Sequence, residues 1–214
     1  MEVFHSDRLS ERDFDQILSV LRAGGVIGFP TDTAYGLGAD PFNEAAVDRI
    51  FEIKGRAETK PILLIVSSRS MVEQVAQPNA IFERVADAFW PGPLTVILPA
   101  APHVPRKITA GGSTIALRLP AAPFATELAR RLGKPLTATS ANRSDGPATV
   151  TAAEVRAQLG DSLEILIDGG RLPARSGSSL LDLTADPPVL LREGPISFGR
   201  LQEFFEGRLR RPVA

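Results

Sequence analysis

Residues 62–66, Ile62-Leu63-Leu64-Ile65-Val66, are apolar without a break, and two of them are β-branched isoleucines. A strand with no polar alternation offers no face to water, so it must be covered on both sides. This run alone demands a layered fold. Further strand-like runs of four or five residues surround it at residues 26–29, 94–98, 114–118, 136–139, 164–168, 179–183 and 189–192. The first of these is halted by Pro30.

Helical patterns lie between the strands. Ser10 with Asp13 three residues on reads as an N-cap and acidic first turn; Phe14, Ile17, Leu18 and Leu21 then share one face, and Gly24-Gly25 stops the helix. Asn43 caps a second helix through Val47, Ile50 and Phe51 that ends near Lys54. Phe82, Val85 and Phe89 mark a third over residues 81–89, broken by Trp90-Pro91-Gly92-Pro93. Gly133 and Pro135 terminate a fourth over 124–132. Thr151 and Glu154 form a capping box for a fifth, and Ser197 opens a last one through Phe198, Leu201, Phe204 and Phe205. Strands and helices mix throughout without repeats or an obvious linker. The reading is one α/β domain over residues 1–214 with helices on both sides of a sheet. Helices are missing between the strands near Leu94 and Thr114, and between those near Ser179 and Val189. A mixed sheet is therefore expected.

At 214 residues, a core burying roughly 70% of the unfolded chain's surface needs no metal or disulfide staple. The absence of cysteine excludes disulfides, thiolate metal sites and a cysteine nucleophile. The two histidines, His5 at the terminus and His103 between prolines, sit in no triad-like or metal-like setting, and both are expected to face solvent. Neither a Gly-x-Ser-x-Gly elbow nor a Gly-rich phosphate loop ending in Lys-Ser/Thr is present. The first fifteen residues lack a secretory signal and no apolar run approaches a membrane span, so the expected location is the cytoplasm, with no membrane partner. The net charge of −1 gives no global attraction to nucleic acid, and the 20 arginines among 24 basic residues read mainly as compositional bias.

The remaining candidates for chemistry are polar clusters at the ends of strands. Pro30-Thr31-Asp32-Thr33-Ala34-Tyr35-Gly36-Leu37-Gly38 follows the first strand, where a ligand site and a polar turn are equally good readings. Lys54-Gly55-Arg56, with Lys60 close behind, could clamp a triphosphate, yet cations at a helix end also suit the helix dipole. Ser140-Ala141-Asn142 could donate to phosphate oxygens or simply close a turn. Arg118 and Arg192 each end an apolar strand and need water, a carboxylate or a ligand. Ser178-Ser179 is a polar lead-in to another strand.

In their joint order these segments are highly specific. Pro30-Thr31-Asp32-Thr33 with Tyr35-Gly36-Leu37-Gly38, Lys54-Gly55-Arg56, Trp90-Pro91-Gly92-Pro93-Leu94-Thr95, Arg118-Leu119-Pro120, Thr139-Ser140-Ala141-Asn142, Asp168-Gly169-Gly170 and Leu191-Arg192-Glu193-Gly194 resemble the YrdC-like threonylcarbamoyl-AMP synthase family over nearly the whole chain. The resemblance implies a three-layer α/β domain, of α+β type, with a twisted mixed sheet of roughly seven strands and a concave basic cleft. It implies synthesis of threonylcarbamoyl-AMP and pyrophosphate from L-threonine, bicarbonate and ATP with Mg2+, the product feeding tRNA modification through separate threonylcarbamoyl-transferase proteins. Carried over residue by residue, Lys54 and Arg56 would be catalytic. Lys54, Arg56, Lys60, Ser140, Asn142 and Arg192 would hold ATP, and Thr33, Arg118 and Ser178 would hold threonine. Whether Asp32, Ser140 or the phosphates alone bind magnesium stays open, as does a weak contact with tRNA.

The chain departs from the family pattern in places. Asp145 separates Ser144 from Gly146 where many members have Ser-Gly, Ser178-Ser179 replaces the usual Ser-Thr, and residues 62–66 lack the histidine that some longer members use. The chain's end near Ala214 fits the short, single-domain form. Two other readings exist: a non-catalytic RNA-binding or regulatory paralogue, and a carbamoyl-transfer module of hydrogenase maturation. The intact Lys-x-Arg and Ser-x-Asn clusters and the near-neutral charge disfavour the first. The absence of acylphosphatase-like and zinc-finger parts disfavours the second.

Overall fold

Two mixed sheets meet along a seam at Ala138, and the cleft described below opens between them. The computed structural model describes residues 1–55, 60–144, 146–173 and 177–212. The first half of the chain runs β1 (Glu2–His5), α1 (Glu11–Arg22), β2 (Ile27–Phe29), β3 (Gly36–Gly38), α2 (Glu44–Lys54), β4 (Leu64–Ile65), α3 (Arg69–Glu73), α4 (Ala80–Phe89) and β5 (Leu94–Pro99). The second half runs β6 (Thr114–Arg118), α5 (Pro123–Leu132), β7 (Leu136–Thr137), β8 (Thr139–Ser140), α6 (Ala152–Leu159), β9 (Ile165–Asp168), β10 (Ser179–Asp182), β11 (Val189–Arg192) and α7 (Phe198–Phe204).

One sheet has five strands in the order β1-β9-β2-β3-β8, and the other has six in the order β11-β10-β5-β6-β4-β7. The mixed α/β class is the one read from the alternation, but its strands are divided between two ladders rather than gathered in a single sheet of about seven. The segment from Leu136 to Ser140 explains the division. Its first half pairs with β4 in the larger sheet, and its second half pairs with β3 in the smaller. At the seam Thr137 N–H donates to Ala39 O at 3.1 Å and Ala138 N–H donates to Leu63 O at 2.9 Å. The Thr137 hydroxyl, fully buried, donates to Leu37 O and accepts from Ala39 N–H. Buried backbone groups need such partners, so the bend is pinned where the chain changes sheets.

Local signals decide most of the helix ends. Ser10 and Asp13 make a complete capping box, and Asn43 Oδ1 accepts from Ala46 N–H. The box expected at Thr151 is half formed. Thr151 Oγ1 accepts from Glu154 N–H, but the Glu154 carboxylate reaches one residue further back, to Val150 N–H at 2.7 Å. Gly55 ends α2 in the left-handed conformation at φ +57°, a geometry glycine adopts without steric cost.

Three elements escaped the sequence reading. β1 has a mostly exposed pattern and exists because β9 offers it a parallel edge. α3 is only five residues long, too short for a period to emerge. β3 lies inside the polar loop after Pro30. Its Gly36 and Gly38 do not supply positive φ. Instead the Phe29 ring takes the space of the missing side chains, so that a Cβ on Gly38 would lie 3.0 Å from it. Among the described residues no helix is long and apolar enough to cross a membrane.

Candidate active site

The two-residue period of a strand sets what faces the cleft. In the larger sheet Leu94, Val96, Leu98, Ile115, Leu117 and Leu181 are buried in the core, whereas Thr95, Ile97, Ala116, Arg118 and Leu180 line a cavity of about 590 Å³. Thr31, Thr33, Thr139 and Ser140 from the smaller sheet and its loops line the same cavity, as do Lys60, Ser178 and Arg192. The cleft thus has an apolar floor with cations and hydroxyls around it.

Arg118 is the most constrained group in it. Its side chain is 4% exposed. Nε donates to Gly92 O at 3.0 Å, Nη1 to Thr33 Oγ1 at 3.0 Å, and Nη2 to the Asp32 carboxylate, whose other oxygen accepts from Ala121 N–H. The Trp90-Pro91-Gly92-Pro93 turn therefore acts as a seat for the guanidinium. That turn is itself fixed by Trp90 Nε1 donating to Leu94 O and Gly92 N–H donating to Leu119 O. Burial pulls the Arg118 pKa below the usual arginine value; Asp32 opposes the shift and the positive Arg192 adds to it. Three of the five guanidinium donors are engaged, leaving two for a ligand.

On the far side Ser178 Oγ and Thr95 Oγ1 lie 2.6 Å apart. Arg192 Nε donates to Ser178 O at 3.1 Å, and its Nη2 passes over Gly177, 3.5 Å from where a Cβ would stand. The β10–β11 register shifts between Leu180 and Leu181, which leaves one extra residue on β11 just before Arg192.

The Lys54 cluster is arranged differently. Lys54 and Asn142 are 4% and 7% exposed and do not line the cavity, whereas Ser140 is exposed and does. Lys54 Nζ donates to Ser140 O and to Asn142 O at 2.9 Å, and Asn142 Nδ2 donates to Gly146 O at 2.6 Å. Arg56 and Asp145 lie outside the described residues. The structure therefore brings Thr33, Arg118, Ser178, Lys60, Ser140 and Arg192 to one cleft and places Lys54 and Asn142 behind its wall. Both histidines are exposed, and the ring of His103 stacks on Phe42 at 6.1 Å.

Residues 19–194 match the Sua5/YciO/YrdC family model, described as telomere recombination. The chain belongs to the Sua5/YciO/YrdC family. It is 39% identical to a threonylcarbamoyl-AMP synthase of Pyrococcus abyssi over 92% of this chain and 58% of that protein. It is 37% identical to a putative threonylcarbamoyl-AMP synthase of Mycobacterium tuberculosis over 87% of this chain and 86% of that protein. The structure of Pyrococcus abyssi Sua5 complexed with L-threonine superposes with a TM-score of 0.92 at 37% identity, over 99% of this chain and 62% of that one. The chain thus spans about three fifths of the length of the Pyrococcus relative.

Two contributors to this Sua5/YciO/YrdC cleft were missed as site residues, although both stand in quoted motifs. Thr95 faces the cavity beside Ser178, and only its alternation with Leu94 and Val96 could have revealed it. Tyr35 has its hydroxyl buried behind the cleft, donating to Gly170 O at 2.8 Å and accepting from Gly169 N–H at 2.9 Å. It ties the Asp168-Gly169-Gly170 turn to the threonine-bearing loop. Asp32, open as a magnesium ligand from sequence, is engaged by Arg118 and Ala121.

Proposed function

We propose that this chain is an L-threonylcarbamoyladenylate synthase, a nucleotidyltransferase that joins L-threonine, bicarbonate and ATP. The observation that carries the reading is Arg118: a buried guanidinium with donors to spare, next to the Thr33 hydroxyl, in a cleft that also holds Arg192. Arg118, Arg192 and Lys60 all line this cleft and favour an anionic occupant, and a carboxylate suits the guanidinium fork.

In this reading Arg118 receives the threonine carboxylate, and Thr33 and Ser178 flank the rest of the amino acid. Bicarbonate, taking up a proton, dehydrates to carbon dioxide and water. Threonine's neutral amine adds to the carbon dioxide and gives its proton to solvent, leaving a carbamate. A carbamate oxygen then attacks the α-phosphorus, forming an O–P bond while the bond from the α-phosphorus to the bridging oxygen breaks. Pyrophosphate leaves and threonylcarbamoyl-AMP remains. One anion must approach another, so the protein's task is to hold both and to stabilise the charge that develops on the phosphates. In this reading Ser140, Lys60 and Arg192, which line the cavity, do this on the ATP side, with Arg56, Asn142 and Lys54 completing the set carried over from the resemblance.

Among the described residues no three His, Cys, Asp or Glu side chains converge on a metal site. Magnesium prefers phosphate oxygens and water to an all-protein cage, so it would enter on the triphosphate, where it neutralises charge. The product would pass to separate transferase proteins that modify tRNA in the cytoplasm. Pyrophosphate release, with threonine and bicarbonate omitted in turn, tests the reading. Release that needs both and yields a threonylcarbamoyl-AMP mass is the expected result. Release indifferent to threonine, or none from folded protein, would overturn it.

A further inference from the structure

We infer that Lys54 is a positioning residue: it builds the 140–142 loop and sets Ser140 as a phosphate donor, without itself touching the nucleotide. The inference rests on the proposed ATP-side reading and reassigns Lys54, and with it the Asn142 side chain. An ammonium has three N–H bonds to give. Four oxygens already surround Lys54 Nζ: the Ser140 carbonyl, the Asn142 carbonyl at 2.9 Å, Asn142 Oδ1 at 3.3 Å and Ser140 Oγ at 3.4 Å. The backbone adds a further tie, since Ser144 N–H donates to Lys54 O at 2.8 Å.

Each contact has a consequence on the cleft side. Two loop carbonyls turned toward Lys54 are turned away from an incoming phosphate, to which their negative ends would be unfavourable. Asn142 has its amide orientation fixed at both ends, Oδ1 toward Lys54 and Nδ2 on Gly146 O, so its side chain also serves the loop. Ser140 Oγ accepts from Lys54, which leaves its own O–H free to donate in another direction. Ser140 is the exposed member of the cluster and the one that lines the cavity. The buried lysine thus works through the serine in front of it.

Two measurements separate this role from direct phosphate binding, and a third separates it from a general structural defect. In nucleotide-free wild-type protein, NMR of the Lys54 ammonium should show a slowly exchanging signal that shifts little when ATP is added. An ammonium in fast exchange without nucleotide, or one that acquires coupling to phosphorus with ATP, would overturn the inference. In Lys54→Ala, amide exchange over residues 139–144 should rise about tenfold or more without any nucleotide, because carbonyls and a side chain lose a common partner. Unchanged exchange together with lost ATP binding would identify Lys54 as a direct ligand instead. In turnover the same variant should raise KM for ATP about tenfold and leave KM for threonine within about twofold. Equal losses for both substrates would mark a general structural defect and overturn the specific role. If Lys54→Ala does not fold, the wild-type ammonium signal decides. The two nucleotide-free readouts need no turnover, so they still test Lys54 if the synthase reading itself fails.

Discussion

Arg118 Nη1 donates to Thr33 Oγ1 at 3.0 Å, joining the end of β6 to the loop after β2 across a sequence separation of 85 residues. Asp32 holds the same guanidinium from beside Thr33, and Gly92 O holds its Nε. A lysine could not serve three diverging acceptors and still present two donors to a carboxylate. Arg118→Lys should lower kcat/KM for threonine by about 10²-fold, with a much smaller effect on KM for ATP. Steady-state pyrophosphate release at varied threonine checks this, and a loss confined to ATP would contradict the assignment.

Ser140→Ala removes a hydroxyl that faces the cavity while leaving the Ser140 carbonyl on Lys54. KM for ATP should rise by about 5- to 10-fold, in line with the loss of one hydrogen bond worth about 1 kcal/mol. The thermal midpoint should stay within about 2 °C, since the exposed hydroxyl supports little of the fold.

Tyr35 is the chain's one tyrosine, so its ionisation can be followed by absorbance without interference from another phenol. Burial pushes its pKa up to about 12. An unfolded tyrosine ionises near pH 10. Between about pH 10 and 12 the native chain therefore keeps a proton that the unfolded chain has lost, so stability falls as pH rises through this window. Tyr35→Phe should remove that dependence. At neutral pH it should cost about 1–3 kcal/mol, because Gly169 N–H and Gly170 O lose their common partner. Denaturant unfolding at pH 7 and 11 tests both statements.

Gly194 follows the last strand with no room for a side chain. A Cβ there would lie 2.7 Å from Gly177 O and from Ser179 N, and 2.8 Å from Ser178 C. These are backbone atoms that cannot rotate away. Gly194→Ala should destabilise the protein by about 1–3 kcal/mol and, by moving Ser178 and Arg192 apart, weaken both substrates. Thermal melts and the two KM values report the two effects separately.

The sequence by itself determined the parts whose physics is local. A serine or asparagine three residues from the amide it caps, a glycine free to take a left-handed φ, and an apolar run at period 3.6 or 2 are complete within a few residues. The capped starts of α1 and α2, the ends of α2 and α5, and the strands at 114–118 and 189–192 could therefore be read directly. The polar clusters at strand ends were legible for the same reason, because polar atoms beside apolar strands need partners.

What those partners are was decided only by the tertiary structure. The sequence could not show that Asp32 would hold Arg118, that Lys54 would turn to the Ser140 and Asn142 carbonyls, or that Thr95 would share a cleft wall with Ser178. Nor could it show that residues 136–140 would divide between two sheets or that β1 would find the edge of β9. Each of these contacts joins residues far apart in the chain. Sequence shows which groups must be satisfied, and packing chooses what satisfies them.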